Sequence, residues 1–234
     1  MTDKIIVGLV GTGNLGRAIM KRILRKPELE YVICDEIEEK AKQLAEETEC
    51  KWASIQETVK MADFLYLALP PAVMDAFVEA HEADIKENGT IINLSTSVDS
   101  TQIQKVLKRQ DIEVIGIKPV CQATAMGEGR KVVFFSSSKS EKLSVIQKML
   151  CEAGNVIEEE EMKVQRINEY ATVRALELII QLEKDLEQFD VSEEVRKSAI
   201  GTVAIGTLMD YPYIKENVNG YITNLVEKYH LKLY

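Results

Sequence analysis

Three glycines near the beginning of the chain have the spacing of a phosphate-binding turn. Gly11, Gly13 and Gly16 follow the apolar run 4–10 and precede a stretch with the apolar periodicity of a helix. In such a unit the first glycine permits a tight turn, the second lets the backbone approach a pyrophosphate, and the third lets the helix pack closely on the strand. The free N–H groups at the helix start then face the phosphates. The motif predicts a dinucleotide site, and its alternative is a glycine turn without a ligand.

An acidic residue supplies the second part of the predicted site. Asp35 lies 19 positions after Gly16, at the end of the next apolar run, where its carboxylate can accept hydrogen bonds from the adenosine ribose hydroxyls. A carboxylate at this position repels a 2′-phosphate, so we expect NAD rather than NADP. NADP stays an alternative because Lys40 or Lys42 could serve a 2′-phosphate.

A proline pair ends a later apolar run. Leu69, Pro70 and Pro71 follow the run 62–69, which has the composition of a buried strand. In open α/β sheets ligands bind at the carboxyl ends of the strands, so this rigid turn is placed to contact the nicotinamide ribose. The alternative is that the prolines only end the strand and begin the next helix.

Apolar runs and amphipathic stretches alternate over the first 160 residues. The predicted strands are 4–10, 31–34, 62–69, 90–94, 113–117, 131–136 and 155–158. The predicted helices are the stretch ended by Pro27, then 37–47, 71–81, 99–109 and 140–151. Continuous apolar strands alternating with helices imply a parallel sheet covered on both faces. We therefore expect an α/β, doubly wound Rossmann domain with a mostly parallel sheet.

The pattern changes after the acidic run 158–161, which we expect to be a solvated helix start. A long helix is predicted over 162–189 and a second over 192–209, with Ser192 as its cap. Pro212 is expected to end this second helix, and a third is predicted over 214–229. The sequence thus predicts a dinucleotide-binding domain at 1–160 and an all-α substrate and dimerisation domain at 161–234.

Composition restricts the class of protein. The 234 residues include 29 Lys and Arg against 38 Asp and Glu, and this acidic balance argues against nucleic acid or a membrane surface as the main partner. No apolar run reaches the roughly 18–20 residues that cross a bilayer, and the first residues lack a signal-peptide layout. The cysteines are scattered and only two histidines are present, so we expect reduced thiols in a cytoplasmic protein and no metal site.

The segment 11–19, the turn at Leu69 to Pro71 and the segment 118–129 resemble pyrroline-5-carboxylate reductase and its relatives. These relatives include deazaflavin-dependent NADP reductases, imine reductases and β-hydroxyacid dehydrogenases. The resemblance implies the family's fold, a helix-exchanged dimer, and hydride transfer between a nicotinamide and a C=N or C=O carbon.

Two segments depart from the family pattern. Proline-forming members carry Met-Pro-Asn-Thr-Pro where this chain has residues 118–122, and Gly-Ser-Gly-Pro-Ala where it has 168–174. Larger polar residues thus replace the small groups that hold a cyclic amino acid, which favours a different substrate. The catalytic lysine of the hydroxyacid dehydrogenases has no counterpart at the matching place, because Lys163 and Lys184 lie on either side of it.

Hydride transfer to an imine or ketone also needs a proton donor. The expected location is a cleft between the domains, beside the first turns of the long helix. There Tyr170 can donate a proton from its hydroxyl, and Glu169 can donate one if burial raises its pKa. Arg174 can hold a substrate carboxylate. Alternatives stay open: Tyr170 as an interface aromatic, Glu169 as a surface charge, and Arg174 paired with Glu177. The predicted catalytic residues are Tyr170, Glu169 and Thr172. The predicted cofactor contacts are Gly11, Thr12, Gly13, Asn14, Leu15, Gly16, Asp35, Leu69, Pro70, Pro71, Lys118 and Pro119.

The helical region is too small to bury much of its own surface. It holds about 75 residues, its first helix is apolar nearly all round, and its second presents small residues such as Gly201 and Gly206. We expect an intertwined homodimer, with a compact monomer as the alternative. Three functions remain in competition: a reductase of a small imine or carbonyl compound, a dinucleotide-binding regulatory or accessory protein without catalysis, and a dehydrogenase working in the opposite direction.

Overall fold

Six parallel strands form the main sheet, in the order β3–β2–β1–β4–β5–β6. The computed structural model describes residues 4–217 and 219–232. The strands are β1 (Ile5–Val10), β2 (Leu29–Cys34), β3 (Lys51–Trp52), β4 (Phe64–Leu67), β5 (Thr90–Asn93) and β6 (Glu113–Gly116). The strand after β1 lies on one side of it and β4 lies on the other, so the order reverses between β1 and β4. This order confirms the predicted doubly wound Rossmann fold.

Helices cover both faces of this sheet. They are α1 (Asn14–Arg22), α2 (Glu38–Glu47), α3 (Ile55–Met61), α4 (Pro71–His81) and α5 (Ser100–Val106). Successive residues of β1 point to opposite faces: Leu9 packs in a core with Ile19 of α1, and Val10 packs in a second core with Met74 of α4. Because both faces of the strands are buried, the runs are apolar at consecutive positions.

The last predicted strands form a separate small sheet. It contains β7 (Lys118–Val120), β8 (Val132–Ser136) and β9 (Gly154–Glu158), with β7 antiparallel to β8 and β8 parallel to β9. Two short helices, α6 (Ala123–Gly127) and α7 (Leu143–Leu150), accompany it. The sequence predicted β8 and β9 but not β7, because three residues are too few to show the alternation of a strand.

The remaining elements of the described chain are helices. They form α8 (Lys163–Leu186), α9 (Glu193–Ser198), a π-helical segment at Ala199–Ala204, α10 (Ile205–Glu216) and α11 (Gly220–Lys228). The prediction that Pro212 ends a helix is wrong, because α10 continues through it to Glu216. Proline removes only its own N–H bond, and bonds beyond it persist, such as that from Asn217 N to Tyr213 O (2.8 Å).

Contacts divide the chain into two compact units, residues 1–169 and 170–234. The first unit contains every buried residue of the described chain, and none of the described residues from 165 to 232 is buried. Among the described residues, no helix combines the length and apolarity needed to span a membrane.

Candidate functional site

A cleft of about 700 Å³ lies along the carboxyl ends of β2, β1, β4 and β5. Asp35 and Glu36 follow β2, Gly11 and Gly13 follow β1, the turn before α4 follows β4, and Ser95 follows β5. The lining residues are Val10, Gly11, Gly13, Asn14, Leu15, Asp35, Glu36, Ile55, Ala68, Leu69, Pro70, Val73, Ala76, Phe77 and Ser95. The cleft therefore has an acidic end beside β2, a glycine turn near its middle and a far end beside β5.

The glycine turn has the geometry that its sequence requires. Gly11 has a φ of 96°, and a Cβ there would lie 2.5 Å from the Ala68 carbonyl oxygen. A Cβ at Gly16 would lie 2.0 Å from the Gly11 carbonyl oxygen, so this glycine lets α1 approach β1. Gly13 is exposed to the cleft, and a Cβ there would meet nothing within 4 Å. The open space at Gly13, next to the first N–H groups of α1, fits a phosphate.

Asp35 is fixed by three hydrogen bonds. Its Oδ2 accepts from Thr12 N and Thr12 Oγ1, both at 2.7 Å, and its Oδ1 accepts from Ile37 N at 2.9 Å. Burial acts to raise the pKa of Asp35, but these hydrogen bonds and the charge of Lys40 outweigh it, so the pKa lies below its ordinary value. Asp35 is therefore ionised at neutral pH, and the neighbouring Glu36 adds a second carboxyl group to the same end of the cleft.

Apolar side chains of two helices form a wall of the cleft. Ile55 is the first residue of α3, which Ser54 begins with a capping box. Val73, Ala76 and Phe77 share one face of α4, whose first residue is Pro71. A flat aromatic base fits between such apolar groups. The sequence analysis missed this wall, although the i, i+3 and i+4 spacing after the proline pair was its available signal.

The structure brings together seven of the predicted cofactor contacts, namely Gly11, Gly13, Asn14, Leu15, Asp35, Leu69 and Pro70. Thr12 is buried behind the turn and holds Asp35, Gly16 packs α1 on β1, and Pro71 begins α4. Direct cofactor contact by these three residues stays a prediction.

Lys118 and Pro119 lie elsewhere, on β7. The Lys118 side chain is fully buried, and its Nζ donates to Ser95 O (2.6 Å) and Val98 O (2.8 Å) and lies 3.4 Å from Glu161 Oε2. Burial lowers the pKa of Lys118 to about 8, against the opposing effect of Glu161. Pro119 O accepts from Asn168 Nδ2 at 3.0 Å. The Lys118 ammonium thus has its hydrogen-bond and ion-pair partners in the interior of the fold. One of these partners, Ser95, also lines the cleft.

The charge run 158–161 corrects one expectation. Glu158 and Glu160 are exposed, but Glu161 is only 4% exposed and pairs with Lys118. The prediction of a solvated helix start is therefore wrong for Glu161, because a buried cation from a distant strand gives its carboxylate a partner.

The predicted catalytic residues lie around the start of α8. Tyr170 is 65% exposed, the Arg174 guanidinium lies 5.0 Å from its ring centroid, and Arg174 Nη1 bonds Glu177 Oε2 at 2.7 Å. A hydrogen bond with Tyr170, and then the contact with Glu177, raise the pKa of Arg174. Glu169 is exposed and accepts from Gln165 Nε2 at 2.8 Å. Thr172 is half-buried. Their catalytic roles stay predictions.

Residues 6–97, which include the whole cleft, match the model of the family described as NADP oxidoreductase, coenzyme F420-dependent. No curated protein sequence matches the chain significantly. Within the described residues, no group of three or more His, Cys, Asp or Glu is arranged to hold a metal ion.

Solved structures share the fold over nearly the whole chain. Pyrroline-5-carboxylate reductase from Streptococcus pyogenes has a TM-score of 0.73 at 15% identity, over 96% of this chain and 85% of that one. The Plasmodium falciparum pyrroline carboxylate reductase with NADP bound has a TM-score of 0.64 at 13% identity, over 97% and 85%. An NADH-preferring ketol-acid reductoisomerase from an uncultured archean has a TM-score of 0.72 at 15% identity, over 96% and 75%. The chain thus has a Rossmann domain followed by a helical region, and its expected resemblance to the pyrroline-5-carboxylate reductases is confirmed in the fold.

Proposed function

We propose that this protein is an NAD(P)-dependent oxidoreductase that reduces a small imine or carbonyl compound. The observation that carries the proposal is the cleft, whose lining combines an ionised carboxylate, an open glycine turn and an apolar wall at the carboxyl ends of the strands. The match of residues 6–97 to an NADP oxidoreductase family and the shared fold of nicotinamide-dependent reductases support it.

The chain's own residues would hold the cofactor by its three parts. Asp35 accepts hydrogen bonds from the adenosine ribose, the amides after Gly13 bind the diphosphate, and Ile55 with Phe77 contacts the adenine. The other half of the dinucleotide then extends along β4 and β5 towards Ser95. A reduced nicotinamide supplies the hydride for the substrate carbon when it is bound.

The acidic end of the cleft favours NADH over NADPH. Asp35 and Glu36 line it, and none of the described lining residues is Lys or Arg. Lys42, one of the two lysines considered for a 2′-phosphate, pairs with Glu38 and lies over the Trp52 ring. A 2′-phosphate would therefore meet the carboxylates of Asp35 and Glu36, and the charge of Lys40, which acts on Asp35, would offset this repulsion only in part.

A second copy of the chain completes the helical region. Apolar side chains remain open to solvent on successive helices, with Ile180 64%, Val203 66% and Leu208 54% exposed. An apolar surface of this extent indicates an interface, and a homodimer covers it symmetrically. Tyr170, the proposed proton donor, and Arg174, which we propose binds a substrate carboxylate, lose solvent when that surface is covered.

Calorimetry and turnover test the proposal together. We expect NADH to bind at least 10-fold more tightly than NADPH, and Gly13→Leu to weaken NADH at least 100-fold because the side chain occupies the open phosphate space. The control Gly220→Leu changes an equally open glycine at a helix start and should bind as the parent does. With cyclic imines and keto acids, Tyr170→Phe should lower kcat about 100-fold at unchanged NADH affinity.

Three results would contradict this function. Failure to bind either reduced coenzyme would remove it entirely. An unchanged Kd for NADH in Gly13→Leu would show that the cofactor does not bind at the glycine turn. Tight binding without oxidation of the coenzyme by any compound would identify the non-catalytic alternative.

A further inference from the structure

A buried polar network lies directly behind the far end of the cleft. Its centre is Lys118, which is fully buried on β7 and whose ammonium has three partners. The two short contacts, 2.6 and 2.8 Å, are to the carbonyl oxygens of Ser95 and Val98, while Glu161 lies at 3.4 Å. The shortest contacts of this cation are therefore with the backbone of the loop 95–98.

Glu161 neutralises the lysine from the other side. Its Oε1 accepts from Ser100 N at 2.9 Å and its Oε2 from Ser100 Oγ at 2.7 Å. Gly116 leaves room for this carboxylate, because a Cβ there would lie 1.7 Å from Glu161 Oε2. The fold thus reserves a specific space for the acid and satisfies both of its oxygens.

Asn93 holds the same loop from its beginning. Its Oδ1 accepts from Ser95 N at 3.0 Å, and its Nδ2 donates to Val98 O at 2.8 Å. Ser95 is therefore fixed through its N–H by Asn93 and through its carbonyl by Lys118. Val98 O receives bonds from both side chains, so the loop has little freedom to move.

A requirement for stability alone does not account for a buried lysine at this position. Removing an ammonium and a carboxylate from water is costly, and well-packed neutral residues are often equally stable or more so. Besides its ion pair with Glu161, the lysine donates to two carbonyl groups of the loop 95–98, whose first residue, Ser95, lines the cleft. Ser95 lies after β5, at the opposite end of the cleft from Asp35.

We infer that Lys118, neutralised by Glu161, is a positioning residue that fixes the loop 95–98 as the binding surface for the nicotinamide half of the cofactor. The inference rests on the proposed function. It also assigns Lys118 a role through Ser95 instead of the direct cofactor contact that the sequence suggested. The adenosine half, which binds beside Asp35 and Gly13, does not depend on this network.

The test compares two ligands that share the adenosine half. ADP-ribose lacks the nicotinamide, whereas NADH carries it. In Lys118→Met/Glu161→Gln both charges are removed, the volumes are kept, and Gln retains partners for Ser100. We expect the affinity for NADH to fall at least 10-fold and that for ADP-ribose to stay within twofold, with the melting temperature close to that of the parent.

A second lysine with a similar set of contacts, which is partly exposed, provides the control. Lys142 Nζ donates to Asn88 O (2.9 Å) and Thr90 Oγ1 (2.7 Å) and pairs with Glu113 at 3.7 Å, at the amino ends of β5 and β6. Lys142→Met/Glu113→Gln removes the same kinds of contact on the side of the sheet away from the cleft. Both affinities should match the parent in this variant.

Each other outcome rejects the inference in a recognisable way. If the Lys118 pair variant binds NADH as the parent does, Lys118 has no positioning role and the proposed function stands. If both ligands weaken equally, the network supports the whole cleft and not its nicotinamide end. If the parent binds neither ligand, the proposed function fails, and the inference fails with it.

Discussion

The two compact units differ in how they use their apolar residues. In residues 4–169, Leu9 and Ile33 are completely buried and the sheet is covered on both faces. In residues 170–232, Ile180 and Val203 are about two-thirds exposed, and no described residue is buried. The first unit contains enough strands and helices to close its own core, whereas the described residues of the second form helices that do not close a core among themselves.

This difference distinguishes the part of the proposed site that is fixed within the first unit from the part that is exposed on the second. The groups proposed to bind the cofactor belong to the first unit, and one of them, Asp35, is fixed by hydrogen bonds from Thr12. The proposed proton donor Tyr170 belongs to the second unit and lies in solvent beside Arg174. Cofactor binding should therefore tolerate loss of the proposed dimer, while turnover should not.

The largest expected effect comes from placing charge on the open apolar surface. Ile180→Arg/Val203→Arg should raise the dimer Kd at least 1,000-fold, about 4 kcal/mol, because two unpaired cations would have to leave water. Light scattering should change from twice the chain mass to the chain mass. NADH affinity should be kept and turnover lost.

The control places a charge change on the first unit. Glu46 is exposed on α2, and Glu46→Arg should leave the mass of the parent unchanged. A parent protein that is monomeric at micromolar concentration would contradict the contrast, because the second unit would then be stable without a cover.

Replacing a glycine by alanine should change the free energy of unfolding differently in the two units. These effects should be smaller than that of the charge substitutions. Gly16→Ala puts a Cβ 2.0 Å from the Gly11 carbonyl oxygen, and the forced movement of α1 should reduce the free energy of unfolding by about 3 kcal/mol. Gly201→Ala meets nothing within 4 Å and should change it by no more than about 1 kcal/mol, in the stabilising direction, since alanine favours helix. Urea unfolding with unchanged m values measures both.

Equal losses in these two variants would show that Gly201 is as tightly packed as Gly16. The dimer interface would then approach the helix backbone at that point. Gly13→Ala serves as the control within the first unit, because its Cβ has open space and its φ of −62° suits any residue.

The sequence was sufficient where local geometry requires particular residues. Gly11 needs a positive φ and a close approach to Ala68, so its identity is visible in the motif. The strands of the main sheet are buried on both faces, so their apolar runs are visible as well. Two short elements were not predicted. The strand β3 has only two residues. The helix α3 was missed although Ser54 and Glu57 form a capping box at its start.

Contacts between distant segments could not be predicted in this way. Lys118, between an apolar residue and a proline, was predicted to contact the cofactor, and Glu161, at the end of an acidic run, was predicted to be solvated, so neither position indicates a buried ion pair. Their burial follows from the antiparallel pairing of β7 with β8, which no periodicity indicates. Ser95 likewise becomes a cleft residue only because β5 lies beside β4.

The smallest predicted effect depends on this buried pair. The pKa of Lys118 is about 8 in the folded chain, mainly because of burial, while its ordinary value is 10.5. Above pH 8 the unfolded chain therefore binds more protons than the folded one, and the free energy of unfolding rises with pH. Glu161 and Asp99, the charged groups facing the ammonium, oppose the shift without abolishing it. Relative to Lys118→Met/Glu161→Gln, the parent should gain about 1.5 kcal/mol between pH 8 and 9.5.

The difference between parent and variant isolates the pair Lys118 and Glu161, because all other titratable groups are common to both. Lys142→Met/Glu113→Gln removes an ammonium that solvent reaches, with a side chain 36% exposed, and its difference from the parent should stay flat over the same range. Superimposable curves for the parent and the Lys118 variant would mean that water reaches Lys118 in the folded protein. The polar interior of the first unit would then be accessible to solvent, as the second unit is, and the contrast between the units would not hold at this pair.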